Sequence, residues 1–237
     1  MDVSDIKVLT FDVFGTVVDW RGSVIAAASA FGNDKSISVN WGAFTDAWKT
    51  CYRPGMDRVN EGKTPWTNVY AIYRAKLEEL FPEYGINGVS EGEMDHFNRV
   101  WERLDPWPDS VRGLTRLKEK FVLSTLSNSD FGSMVRMAKH AGLPWDCIIT
   151  AEIAKCYKPD PRVYLTAIAL LGCKPEQMMM VAAHNYDLAH AASHGMHTAF
   201  IPRPTEYGPG QTTDLAAEGD WDIVASNIEE LADALGA

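Results

Sequence analysis

From Asp109 to the C terminus, short apolar runs alternate with segments of helical period, and this alternation restricts the fold more than any other property of the chain. Val111, Leu114 and Leu117 mark a helix, Phe121 to Leu126 a strand, and Phe131, Met134, Val135 and Ala138 the next helix. A strand at Cys147 to Thr150, a helix through Val163, Tyr164, Ala167 and Leu171, a strand at Met178 to Ala182 and a helix through Leu188 and Ala191 follow. Strands at Thr198 to Ile201 and near Ile223 and Val224, with a last helix through Ile228, Leu231 and Leu235, complete the series. Strands separated by single helices of this length build βαβ units, so the expected fold is α/β with a Rossmann-like, mostly parallel sheet flanked by helices.

The first member of the sheet lies far upstream. Lys7 to Asp19 reads KVLTFDVFGTVVD, and the nearly continuous apolar run Val8 to Phe11 is what a strand buried on both faces requires. It ends on one carboxylate, Asp12, followed by Gly15 and Thr16, which allow a tight turn and bring a hydroxyl and backbone N–H groups around that acid. In open parallel sheets the reactive crevice lies beyond the carboxyl ends of the strands, where Asp12 falls. Between this strand and the alternating region only helical patterns occur. Trp41, Phe44, Trp48 and Tyr52 form one series, and Trp66, Val69, Tyr70, Tyr73, Leu77 and Leu80 a second. Ser90 and Glu93 read as a capping box before Met94, Phe97, Val100, Trp101 and Leu104. The expected organisation is a core of residues 1–18 and 106–237 carrying a helical cap of residues 19–105. The stretch Pro202 to Asp220, rich in Pro and Gly, reads as an irregular surface loop.

Charge narrows the range of partners. Thirty-two acids against 22 Lys and Arg give a formal net charge of −10, which repels nucleic acid and anionic membranes. No basic leader precedes an apolar segment and no run is long enough to span a bilayer, so a cytoplasmic protein is expected. Cys51, Cys147, Cys156 and Cys173 lack the spacing of a structural zinc site and read as reduced thiols. No P-loop or GxGxxG occurs.

Three further polar groups fall at the same sheet edge as Asp12: Ser127-Asn128 after one strand, Lys158 before the helix at Pro161, and His184-Asn185-Tyr186-Asp187 after another. Each alone reads as a helix cap or a solvated turn. Together, in this order, the sequence resembles the haloacid dehalogenase superfamily and, within it, the type II (L-2-) haloacid dehalogenases. Asp12 to Thr16 matches the Asp-x-x-Gly-Thr motif, Ser127-Asn128 the second motif, Lys158-Pro159-Asp160-Pro161 with Tyr164 the lysine motif, and His184 to Asp187 the acidic one. The phosphatases of this superfamily carry a second Asp two places after the nucleophile, where this chain has Phe14. A phenyl ring can neither donate the proton to a leaving group nor face a phosphate and hydrated cation as a carboxylate does.

The resemblance therefore implies a metal-independent hydrolase without a cofactor, acting on a small halogenated carboxylic acid. Asp12 would displace halide from C2 of a short (S)-2-haloacid with inversion, and water would then attack the ester carbonyl to release an (R)-2-hydroxy acid. Lys158 would keep Asp12 ionised, and Thr16, Ser127 and backbone N–H groups would bind the carboxylate or oxyanion. Asn128 and Phe14 would surround the halide. Asp187 would orient Lys158 or the hydrolytic water, His184 would accept a proton, and Tyr164 and Asn185 would join the substrate site. Family members place a cap arginine after a Trp to receive the halide; here Trp48 is followed by Lys49, with Arg53 one turn on, and Ala182-Ala183-His184 stands where they have Ser-Ser-Asn. The resemblance also suggests a homodimer. Two other readings stay open from residues alone: a cap-bearing Mg²⁺ phosphatase of the same superfamily, and a non-catalytic relative that binds small acids or a protein.

Overall fold

The computed structural model describes residues 5–237. Six strands, β1 (Val8–Phe11), β4 (Val122–Ser127), β5 (Cys147–Thr150), β6 (Met178–Ala182), β7 (His197–Phe200) and β8 (Ile223–Val224), form one sheet in the order β5-β4-β1-β6-β7-β8. Every pairing in it is parallel. The chain leaves β1 towards β4 and β5 on one side and returns to β6 on the other, so the strand order reverses at β1. In doubly wound sheets that reversal opens a crevice at the carboxyl edge. Asp12 follows β1 directly.

The period of two along each strand divides the core. Leu9, Phe11, Met179 and Val181 pack on one face, and Val8, Met178, Met180 and Ala182 on the other. Helices α6 (Ser110–Lys118), α7 (Phe131–Ala141), α8 (Ala151–Ala154), α9 (Pro161–Leu171), α10 (Asn185–Ser193) and α11 (Ile228–Leu235) flank the sheet. The α/β fold expected from the alternation is the one observed, with β4 and β7 displaced by one residue from the expected limits.

Five α-helices, followed by a 3-10 turn at Arg99–Glu102, lie between β1 and α6: α1 (Trp20–Lys35), α2 (Trp41–Lys49), α3 (Tyr52–Asn60), α4 (Val69–Glu83) and α5 (Glu91–Asn98). The capping box of Ser90 and Glu93 forms at the start of α5 as expected. A ribbon of β2 (Val18–Asp19) and β3 (Asp105–Pro106) joins the two ends of this segment, with Asp19 opposite Asp105. The series Trp41 to Tyr52 does not make one continuous helix. The Thr50 hydroxyl donates to Ala47 O, and a second helix starts at Tyr52, with Pro54, which lacks an N–H, in its first turn. The break brings Lys49, at the end of α2, and Tyr52 and Arg53, at the start of α3, to one corner.

The same hydrophobic cluster runs from one face of the sheet into these helices, through Phe14, Trp20, Trp48, Tyr73, Phe97 and Trp101. Tyr73 and Trp101 stack with centroids 4.0 Å apart. The loop after β7 is irregular and mostly exposed, as expected, but it is anchored inward at two charged residues: Arg203 and Glu206 are 7% and 2% exposed. The Arg203 guanidinium donates to both carboxylate oxygens of Asp109 at 2.8 Å and to Thr16 O at 2.9 Å, which pulls the loop onto the sheet edge. Among the described residues no helix is long and apolar enough to cross a membrane.

Candidate active site

Asp12 is 6% exposed and each of its oxygens is held. Lys158 Nζ donates to Oδ1 at 3.0 Å; the Thr16 hydroxyl, at 2.8 Å, and His184 Nδ1, at 3.1 Å, face Oδ2. Thr16 is oriented in turn by the Ala183 N–H, which donates to its hydroxyl at 2.8 Å. Burial pushes the Asp12 carboxyl up, but the Lys158 ammonium, the His184 contact and the Thr16 hydrogen bond outweigh it and hold the carboxyl well below the usual range. The group is therefore an anion at neutral pH, as a carboxylate nucleophile must be.

Lys158, at 1% exposure, bridges Asp12 and Asp187 through its ammonium. Burial alone would lower its pKa; the two carboxylates raise it, so it stays charged. The Tyr164 hydroxyl donates to the other Asp187 oxygen at 2.6 Å. The backbone of Lys158 is fixed by Asn128, whose Oδ1 accepts its N–H at 2.7 Å and whose Nδ2 donates to its carbonyl at 3.0 Å. Helix-borne residues add further ties at this point. The Tyr52 hydroxyl donates to Asn128 O at 2.8 Å, and the Asn60 side chain exchanges two 2.8 Å hydrogen bonds with the Tyr157 backbone. Asp130 accepts the N–H groups of Val69 and Tyr70, at the start of α4, at 2.9 Å each.

Above Asp12 lies a cavity of about 220 Å³ lined by Phe14, Lys49, Tyr52, Arg53, Met56, Asn128, His184, Tyr186, Glu206 and Tyr207 together with Asp12 itself. The volume suits a two- to four-carbon acid better than the 300–1,000 Å³ typical of larger ligands. Lys49 Nζ sits 3.7 Å from the Tyr52 ring centroid, 4.9 Å from that of Trp20 and 5.6 Å from that of Phe14, and hydrogen bonds the Tyr73 hydroxyl at 3.1 Å. Burial among these rings lowers its pKa to about 8, with Glu206 and Asp12 pulling the other way. The rings supply quadrupole attraction to the ammonium but no counter-anion. Arg53 pairs with Asp57 at 2.8 Å and lies over the Tyr186 ring at the rim.

Asp12, Phe14, Lys49, Arg53, Asn128 and His184 thus meet at the cavity, with Thr16, Lys158 and Asp187 behind them. Three of the expected substrate contacts lie elsewhere. Asn185 donates to Asp214 and Ala216 O and accepts from Glu218 N and Trp221 Nε1, so its amide anchors the long loop and lines no part of the cavity. Tyr164 is spent on Asp187 behind Lys158. Ser127 is fully buried, and its hydroxyl has no hydrogen-bond partner among the described residues.

One group in the site gave no sign of itself in the sequence. Glu206 accepts from Trp20 Nε1 at 3.0 Å, and its carboxylate lies 2.9 Å and 3.2 Å from His184 Nε2. Its approach requires Gly15: φ there is +86°, and a Cβ would stand 2.1 Å from Glu206 Oε1. Among the described residues no cluster of three or more His, Cys, Asp or Glu side chains is arranged to hold a metal ion.

Known proteins resemble this chain over nearly their whole length. The L-2-haloacid dehalogenase PA0810 is 44% identical, with a TM-score of 0.92 over 97% of this chain and 99% of that one. The defluorinating L-2-haloacid dehalogenase Rha0230 is 42% identical, with a TM-score of 0.95 over 98% and 96%. (S)-2-Haloacid dehalogenase 4A of Burkholderia cepacia is 25% identical over 97% of this chain and all of its own. The family model for haloacid dehalogenase-like hydrolases matches residues 6–195, and the chain belongs to that family.

Proposed function

We propose that this protein hydrolyses short (S)-2-haloacids to (R)-2-hydroxy acids through an ester on Asp12. The observation that carries the reading is the pairing of an ionised Asp12 with Phe14 rather than a second acid, beneath a small cavity whose facing cation, Lys49, is caged by aromatic rings. In the first step an Asp12 oxygen attacks C2, the new C–O bond forms on the side opposite the breaking C–halogen bond, and halide departs with the electron pair. Lys49 receives it. An ammonium is a compact, strongly hydrated charge that matches a small, hard anion, and the defluorinating activity named for the similar protein Rha0230 is in keeping with that. Arg53 at the rim is the group assigned to the substrate carboxylate.

Lys158 keeps Asp12 ionised, Asp187 with Tyr164 fixes Lys158, and Thr16 orients the nucleophile. Water then attacks Asp12 Cγ and the ester C–O bond breaks. Residues 19–105 act as a cap over the core of 1–18 and 106–237, which keeps the carbon centre away from bulk solvent. The test is halide and hydroxy-acid formation from each enantiomer of 2-chloropropionate, with chloroacetate and fluoroacetate alongside. Release from the (S) enantiomer, abolished by Asp12→Asn, is expected; release that survives the substitution refutes the mechanism.

A further inference from the structure

Both ring nitrogens of His184 face carboxylates: Nδ1 lies 3.1 Å from Asp12 Oδ2 and Nε2 2.9 Å from Glu206 Oε2. The ring is 7% exposed. An imidazole can donate from both nitrogens only as the imidazolium, and neither anion offers a proton of its own while Asp12 is held ionised. Burial works against the charge, but Glu206 and Asp12 together hold the ring well above its usual pKa. The resting site therefore contains an acid where ester hydrolysis needs a base.

Alkylation changes that balance. Once Asp12 carries the substrate it is a neutral ester, and one of the two anions that keep His184 protonated has gone. Glu206, still bonded to Nε2, fixes the tautomer that leaves the Nδ1 lone pair towards Asp12 Cγ. We propose that His184, positioned by Glu206, is the base that activates the hydrolytic water, and that forming the ester is what turns it into a base. This rests on the dehalogenase reading above and adds the group that drives its second step.

The protons balance as follows. Halide leaves C2 with the C–halogen electron pair as the Asp12 C–O bond forms, and the imidazolium then sheds its Nδ1 proton to solvent through the cavity mouth. Neutral His184 takes a proton from water as the water oxygen bonds to Cγ. The tetrahedral species collapses, the bond from Cγ to the substrate oxygen breaks, and that oxygen leaves with the pair and takes the proton from Nδ1. Asp12, released as the acid, gives its own proton to His184, and the resting ion pair is restored. Each turnover frees one halide and one proton, and the proton is lost after the first step rather than the second. The other charged or titratable groups around the ring are Lys49 and Tyr52 from the helices, Arg53 at the rim, Lys158 and Asp187 beyond Asp12, Tyr186 on its own helix, and Tyr207 beside Glu206. None of these changes charge when the ester forms.

Rapid-quench and indicator measurements on wild type and on Glu206→Gln, Glu206→Asp and His184→Asn, with 2-chloropropionate in excess, separate the steps. In Glu206→Gln, halide release of about one equivalent per site is expected to persist while hydroxy acid forms at least tenfold more slowly. The Asp12 peptide then accumulates with the mass of the ester, and the proton appears with the halide. Glu206→Asp recovers part of the hydroxy-acid rate. His184→Asn likewise releases halide and accumulates the ester, but with no imidazolium to deprotonate its proton appears only with hydroxy acid. If halide and hydroxy acid slow equally with no ester in Glu206→Gln, or if in wild type the proton appears only with hydroxy acid, the inference is overturned while the dehalogenase reading stands. No halide release from wild type overturns both.

Discussion

Gly15→Ala tests whether the approach of Glu206 to His184 matters. The added methyl would meet the Glu206 carboxylate at 2.1 to 2.6 Å, whereas ordinary contact begins at 3.4 Å. The carboxylate must retreat by more than about 1 Å, because the backbone on the other side of the contact belongs to the nucleophile turn. The His184 contacts of 2.9 and 3.2 Å then pass beyond hydrogen-bonding range, and the 3.0 Å bond from Trp20 weakens. A misplacement of this size in a catalytic group costs on the order of 10²-fold in rate. The φ of +86° adds strain of about 1–2 kcal/mol for any residue with a Cβ. That is worth roughly 2–8 °C in Tm for a chain of this length. The assay is a double-mutant cycle with Glu206→Ala, read as hydroxy-acid formation and as thermal stability. Removing the carboxylate removes the clash, so the double variant should form hydroxy acid no more slowly than Glu206→Ala alone, while the backbone strain persists in Tm. Activity losses that multiply would show that Gly15 acts through something other than Glu206.

Lys49 titrates at about 8, so halide release should fall as the pH rises through that value and the ammonium loses its proton. Lys49→Arg, with a charge that persists, should move the decline to higher pH, and Lys49→Met should lose at least tenfold in turnover throughout; pH profiles of halide release decide this. EDTA should leave halide release unchanged, and added Mg²⁺ should produce no hydrolysis of a generic phosphate ester, because Phe14 supplies neither a proton nor a metal ligand. Asp130→Ala removes both acceptors from the start of α4 and should cost about 1–2 kcal/mol in chemical denaturation, with Asp130→Asn recovering part of it.

Much of the sheet was legible because its central strands β1 and β6 are buried on both faces and read as nearly unbroken apolar runs; β1, β5, β6 and β8 lie where the pattern put them. The break between Lys49 and Tyr52 was not, since Trp41 to Tyr52 keeps an apolar period across it and only Pro54 hinted at a new start. Asp12, Lys158 and Asp187 could be read because each sits at a strand end or helix start, where topology alone brings distant residues together. Glu206 belongs to a Pro- and Gly-rich segment with no period, and its place depends on Arg203 reaching Asp109, a contact across 94 residues that no local pattern encodes. Asn185 sits beside His184 in sequence and Tyr164 one helical turn into α9 after Lys158, yet residues along a helix point in different directions. Their side chains accordingly serve the loop and Asp187.

The short ribbon of Val18–Asp19 against Asp105–Pro106 has an architectural consequence. Opposed residues in such a pair have Cα atoms about 5 Å apart, so the helical segment enters and leaves through a single narrow doorway. Seen from the sheet, the whole segment is equivalent to one hairpin turn. It can lengthen, shrink or be exchanged without stretching β1 or α6, which makes the fold a socket for interchangeable covers. A chimera carrying another relative's helices between Asp19 and Asp105 would keep this protein's nucleophile and exchange only the wall of the cavity that Lys49, Tyr52, Arg53 and Met56 supply.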